Sequence, residues 1–279
     1  ESDQYIVYAE GIYVGYRYYE TRYEDVVMGT GNAGDYDYAS TVLYPFGYGL
    51  SYTTFEQEIV EVRGDLADAD GEITVSVRVK NTGNAAGKDV VQLYNTPEYT
   101  PGGIDKAEVN LVGFEKTDTL RPGASQTVDV TIAVKDLAEF DYNDANANDN
   151  SGYELETGEY VLSVRANSHE VYDTYTLNAE TLLTWDEDGD PSTPNNIYSQ
   201  ESGQWEMYNT NAEHWTTSGD DMNLHRDGLL NEEGTGPSDL SELAWMLTDE
   251  NEFKDEAFNV LNKRSASNPS GDYGDYDNP

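Results

Sequence analysis

ITVSVRVKN, residues 73–81, alternates strictly. Ile73, Val75, Val77 and Val79 fall on one side, and Thr74, Ser76, Arg78 and Lys80 on the other. A side-chain period of two is that of a β-strand with one face on a core and one in water. TVDVTIAV repeats the pattern with Val128, Val130, Ile132 and Val134. EYVLSVRA repeats it with Tyr160, Leu162 and Val164. Turn-forming stretches separate the strands: NTGNAAG, RPGAS and LETGE. Short strands at this spacing predict an immunoglobulin-like β-sandwich over residues 56–178. The insert YNDANANDNSG is too polar to pack and is expected to be a loop at one end.

Outward from the sandwich the character changes. Residues 1–55 read as the end of another domain. YIVYAEGIYVGY is β-rich, with Gly11 and Gly15 as breakers. ETRYEDVVMGTGNAGDYDYAS reads as a surface loop, and Pro45, Gly47 and Gly49 in LYPFGYGLSY predict tight turns. Residues 179–237 are polar and irregular and read as a linker with small packed patches. Residues 238–263 return to a helical period through Leu240, Leu243, Leu247, Phe253, Ala257 and Leu261. Asp239 with Glu242, and Asp249 with Glu252, have capping-box spacing, so two short helices are expected there. Residues 264–279 have the composition of a disordered tail.

Composition narrows the function. The 279 residues hold 55 acids and 15 bases, a net charge of −40. Phosphate backbones and anionic lipids would be repelled, so neither nucleic acid nor a membrane surface is an expected partner. The charge fits solubility in salt or a cell-exterior setting, and equally a lineage-wide acidic bias. An extracellular or cell-surface location is favoured over the cytoplasm. There is no cysteine, which removes disulfides, thiolate catalysis and cysteine-based zinc sites. The chain starts at Glu1, without Met or a leader pattern, and is expected to be a piece of something longer.

The two Gly- and Tyr-rich stretches carry a resemblance. EGIYVGYRYYE (Glu10–Glu20) and PFGYGLSYTTF (Pro45–Phe55) resemble the end of the α/β-sandwich domain of glycoside hydrolase family 3, the β-glucosidases and β-xylosidases. VSVRVKNTGNAAGKDVVQLY, LVGFEK, LRPGASQTVDVTI and ETGEYVLSVRANS are similar to that family's fibronectin type III-like domain. The loop between Glu20 and Pro45 is longer and more acidic than the family's usual one. The fold expected is therefore mainly β: a fibronectin-like sandwich preceded by a fragment of an α/β domain and followed by a polar linker and short helices.

The resemblance implies a retaining β-glycosidase acting on β-linked oligosaccharides or aryl glycosides. Such enzymes need two carboxylic groups about 5–5.5 Å apart. In the family these are an aspartate of a separate barrel domain and a glutamate upstream of the first motif. Neither place exists here, so no catalytic residue, cofactor or metal is assigned, and the chain alone is expected to be inactive. Its partners would be the remaining glycosidase domains. Glu10, Gly11, Gly15, Tyr16, Arg17, Pro45, Phe46, Gly47, Gly49, Leu50 and Ser51 make up the structural family motif. Glu10, Tyr16 and Arg17 fit either support of a sugar site or a bonded and stacked cluster at a domain junction, and the second is preferred. The alternative from another class is a non-catalytic carbohydrate-binding or adhesion module.

Remaining candidates have plain readings. Asp186, Asp188 and Asp190 begin a calcium-loop spacing, but Pro191 and Ile197 stand where that loop needs Gly and Glu. A solvated acidic turn is preferred. Trp185, Trp205 and Trp215 read as isolated packed residues rather than a sugar platform. His169, His214 and His225 have no ligand or triad spacing and read as surface residues. GTGNAG (Gly29–Gly34) lacks the Lys and helix of a phosphate loop.

Overall fold

Alternating valines pair into strands whose apolar faces must cover one another, and two antiparallel sheets result. The computed structural model describes residues 12–28, 36–100, 103–141, 145–146, 148 and 152–185. Strands β1 (Phe55–Arg63), β2 (Glu72–Asn81) and β5 (Ser125–Ala133) form one sheet in the order β1-β2-β5. Strands β3 (Val90–Pro97), β4 (Asn110–Lys116), β8 (Gly158–Arg165) and β9 (Val171–Ala179) form the other, ordered β4-β3-β8-β9. A small sheet joins β6 (Glu139–Asp141), β7 (Gly152–Leu155) and β10 (Leu183–Trp185) in the order β10-β7-β6.

The core lies where the periodicity places it. Ile73, Val75, Val77 and Val79 are fully buried. They belong to one cluster with Val128, Val130 and Ile132 of β5, Val91 and Leu93 of β3, and Leu162 and Val164 of β8. Gly113 of β4 lets the two sheets approach: a Cβ there would stand 2.7 Å from Val130 Cγ1 and 3.0 Å from Ile132 Cγ2. The expectation of a sandwich holds, and the described residues are mainly β.

Two expectations are corrected. The first nine residues of the stretch read as a surface loop, 20–28, belong instead to helix α1 (Tyr16–Met28). Its buried positions include Tyr18, Thr21, Arg22 and Asp25, at helical spacing. The helical period is therefore written in polar residues, where a hydrophobic pattern cannot find it. A second helix, α2 (Tyr38–Thr41), is capped by Asp37, whose carboxylate accepts from the Ala39 amide.

The other correction concerns the segment read as linker from residue 179. The chain remains in the fold through β10, and Trp185, only 1% exposed, belongs to the core cluster. Glu10, Gly11, the 29–34 loop, Asp186, Asp188, Asp190, Trp205, Trp215, His214, His225 and the segments 238–263 and 264–279 lie outside the described residues.

Candidate functional site

Strand β3 is buried on both faces, which the alternation of its sheet partners does not require. Its inner face feeds the sandwich core. Its outer face carries Gln92 and Tyr94, and these meet the two motif stretches.

Gly15, at φ +60°, turns the chain into α1. Tyr16 follows and stacks on Phe46, with ring centroids 4.5 Å apart and planes 13° apart. It meets Tyr94 edge-on at 6.3 Å. The Tyr16 hydroxyl accepts from the Leu111 amide at 2.9 Å. One turn on, the Thr21 hydroxyl accepts from the Glu108 amide at 3.0 Å and donates to the Arg17 carbonyl at 2.7 Å. Before the helix, the Tyr13 hydroxyl donates to Asp105 at 2.8 Å. The helix is thus tied to β4 and to the segment leading into it.

The second stretch is pinned to the same surface by its backbone. The Tyr48 amide donates to the Pro45 carbonyl at 3.1 Å, closing a turn with Gly47 at φ +81°. Gln92 Nε2 donates to the Gly47 carbonyl at 3.2 Å and to the Ala166 carbonyl at 3.0 Å. The Ser168 amide donates to the Phe46 carbonyl at 2.8 Å. The Tyr94 hydroxyl donates to Gln92 Oε1 at 2.8 Å, which fixes the amide that holds the turn. Gly49 has open space around it, and Leu50 is 89% exposed. Ser51 accepts from the Thr53 amide at 3.3 Å, just ahead of β1.

Glu20 is the centre of the arrangement. It is 3% exposed. Oε1 accepts from the Tyr38 hydroxyl at 2.6 Å and the Ser168 hydroxyl at 2.7 Å, and Oε2 lies 2.9 Å from His169 Nδ1. The His169 ring stacks on Tyr38 at 4.0 Å, 9° from parallel, and meets Tyr23 edge-on at 4.5 Å. Burial, and then the bond to Glu20, push the Tyr38 phenol far up, so it stays a donor. Arg165 lies behind, donating to Ser163 Oγ at 2.7 Å and the Ser168 carbonyl at 2.8 Å. Burial lowers its guanidinium pKa, and the charge of Glu20 opposes that shift.

His169 is therefore not the surface residue its sequence context suggests. It faces Glu20 from the turn between β8 and β9. Sequence reasoning also missed Tyr38, Arg165 and Ser168 as members of the site. The one local signal was the end of the ETGEYVLSVRANS stretch, which carries both Arg165 and Ser168.

This arrangement binds elements together; it does not offer a carboxylate to substrate. Each Glu20 oxygen is already engaged, and the residue is shut from solvent. A groove of about 290 Å³ lies elsewhere, between β4 and β5, and includes Glu115 and Asp129. The Ser76 hydroxyl and Arg63 hold the Asp129 carboxyl below its ordinary value, the opposite of what a general acid needs. The charge of Arg17 acts on a different carboxyl, that of Glu139. Burial pushes that carboxyl up to about 7, while Arg17 and Lys106 pull it back. Asn110 Nδ2 donates to Glu139 Oε1 at 3.3 Å. Among the described residues no group of three or more His, Asp or Glu could hold a metal ion.

Comparison with known proteins agrees with the geometry. Residues 89–168 match the fibronectin type III-like domain family. The chain is 39% identical over 175 residues to β-glucosidase A of Butyrivibrio fibrisolvens, covering 57% of this chain and 19% of that protein. It is 40% identical over 157 residues to a β-glucosidase of Ruminococcus albus, 56% of this chain and 14% of that protein. Among solved structures, β-glucosidase from Kluyveromyces marxianus in complex with glucose superposes with a TM-score of 0.51 at 34% identity. That match covers 64% of this chain and 18% of the other. A β-glucosidase from Paenibacillus barengoltzii gives 0.53 at 31% identity, over 66% of this chain and 18% of the other. The chain thus spans less than a fifth of the length of these relatives.

Proposed function

We propose that this chain, which carries a fibronectin type III-like domain and resembles one part of family 3 β-glucosidases, is the bracing part of such an enzyme. The intact protein would hydrolyse terminal β-glucosidic bonds with retention, through two carboxylic groups about 5–5.5 Å apart. Those groups would be supplied by the remainder of the enzyme, and β-linked oligosaccharides or aryl glycosides would be its substrates. This chain would hold the last helix of the preceding domain and the hinge after it against the sandwich.

The observation that carries this reading is Glu20. A carboxylate at the end of the first motif is buried and held by residues of α2 and of the β8–β9 turn. A buried polar network of this kind fixes one arrangement of the elements that share it. It joins the first motif stretch and α2 to the sandwich, and the carboxylate at its centre is shut from solvent.

The test is release of p-nitrophenol from aryl β-glucosides. The isolated chain is expected to release none above background, and robust turnover would refute a purely bracing part. In the intact enzyme, removal of residues 56–178 is expected to lower both activity and thermal stability. An intact enzyme indifferent to that deletion would remove the bracing role.

A further inference from the structure

The thirteen residues from Leu43 to Phe55 contain no charged and no amide side chain, in a chain where charged residues make up 25%. Their large side chains are also unusually bare. Leu43 is 83% exposed, Tyr52 is 102% exposed, and Tyr44, Phe46, Tyr48 and Leu50 are exposed as well. Single exposed apolar residues are ordinary, but six within ten positions are not.

The underside of this segment is fixed. Its carbonyls at Phe46 and Gly47 are held by Ser168 and Gln92, and Phe46 also stacks on Tyr16. Near its far end, Thr53 donates to Asn81 at 2.7 Å. The Tyr44 and Tyr48 rings lie 5.3 Å apart. The strip is thus presented in a set conformation, which lowers the entropic cost of covering it.

Three occupants compete. A second copy would bring another −40 of charge against the first, and that repulsion opposes self-association. A sugar needs polar side chains converging beside the aromatic ring. Here the strip has no Asp, Glu, Asn, Gln, Lys, Arg or His, and two of its bare side chains are leucines. An apolar protein surface fits best. The relatives supply its source, because more than four fifths of their length lies outside the part this chain matches.

We infer that Leu43, Tyr44, Phe46, Tyr48, Leu50 and Tyr52 form the surface on which the glycosidase body of the same protein seats. This rests on the bracing role proposed above and assigns it a surface.

The experiment compares the full chain alone with the same chain joined in place of the matching part of Butyrivibrio fibrisolvens β-glucosidase A. Hydroxyl-radical footprinting reads the reactivity of Tyr44, Tyr48 and Tyr52, and aryl β-glucoside hydrolysis is measured on the same samples. At least fivefold protection of the three tyrosines in the chimera is expected. A Leu50→Ser, Tyr52→Ser double variant is expected to lose most of the protection at Tyr44 and Tyr48. Equal reactivity in chain and chimera overturns the inference, whatever the activity. Protection that appears in the chain alone, on raising its concentration or adding cellotetraose, overturns it in favour of a second copy or a sugar. Protected tyrosines in an inactive chimera leave the surface standing and count against the glycosidase reading.

Discussion

Glu20 and Ser168 are 148 residues apart in sequence and share a hydrogen bond of 2.7 Å, from the serine hydroxyl to the buried carboxylate. The bond joins α1 to the turn after β8. Tyr38 and His169 bond to the same carboxylate. Truncation of Glu20 would leave buried donors without their acceptor, each costing about 1–3 kcal/mol. The bonds from Tyr38 and Ser168 are the fully buried ones, so Glu20→Ala is expected to destabilise the chain by roughly 2–6 kcal/mol, measured as a fall in the urea midpoint at pH 7. Ser168→Ala, which removes one donor and keeps the acceptor, should cost less. Equal losses, or none for Glu20→Ala, would contradict a clasp centred on that carboxylate.

Gly47 and Gly49 are indistinguishable in the sequence pattern, yet only one is required. Gly47 sits at φ +81°, and a Cβ there would land on the Gln92 side chain. Gly49 has nothing within reach of an added Cβ. Gly47→Ala is expected to lower stability by roughly 1–3 kcal/mol, and Gly49→Ala to change it by less than about 0.5 kcal/mol. Paired thermal melts of the two variants decide this, and equal effects would show that Gln92 does not set the turn.

What was legible in the sequence followed what the residues had to do locally. Ile73, Val75, Val77 and Val79 need one apolar neighbour sheet, and a period of two states that need. The burial of Tyr18, Thr21, Arg22 and Asp25 has the helical period but not the hydrophobicity, so α1 was hidden. The Glu20–His169 contact spans 149 positions and no local spacing encodes it. Trp185 looked like part of a polar linker because its core partners lie in strands far back in the chain.

Glu139 makes stability depend on pH, with a sign that follows from burial. Its carboxyl is pushed from 4.5 up to about 7 in the folded chain. Arg17 and Lys106 oppose the shift, and Asp105 reinforces it. Below pH 4.5 the group is protonated in both states and has no effect on the balance. As pH rises from there to 7, the unfolded chain gives up the proton first, so folding loses stability. Glu139→Gln carries no titrating proton and escapes that loss. The variant is expected to gain roughly 1–3 kcal/mol relative to the wild type between pH 4.5 and pH 7.5. Urea titrations across that range supply the two curves, and curves that run parallel would remove Glu139 as the cause.

The net charge of −40 makes a second solution-dependent prediction. Exposed pairs such as Arg63 with Glu61 and Asp129, or Arg78 with Glu58, engage few of the 55 acids. Solvent-exposed pairs of this kind contribute little to stability. The unpaired excess repels itself and favours an expanded chain. Salt shortens the range of that repulsion, from about 8 Å at 0.15 M to about 3 Å at 1 M. The thermal midpoint is expected to rise by roughly 5–15 °C between 0.1 and 2 M KCl, several times the few degrees that a 1 kcal/mol change gives a domain of this size. Sucrose at matched osmolality separates screening from general exclusion of cosolute. An equal rise in sucrose would assign the effect to exclusion and leave the acidic surface without a measurable role in stability.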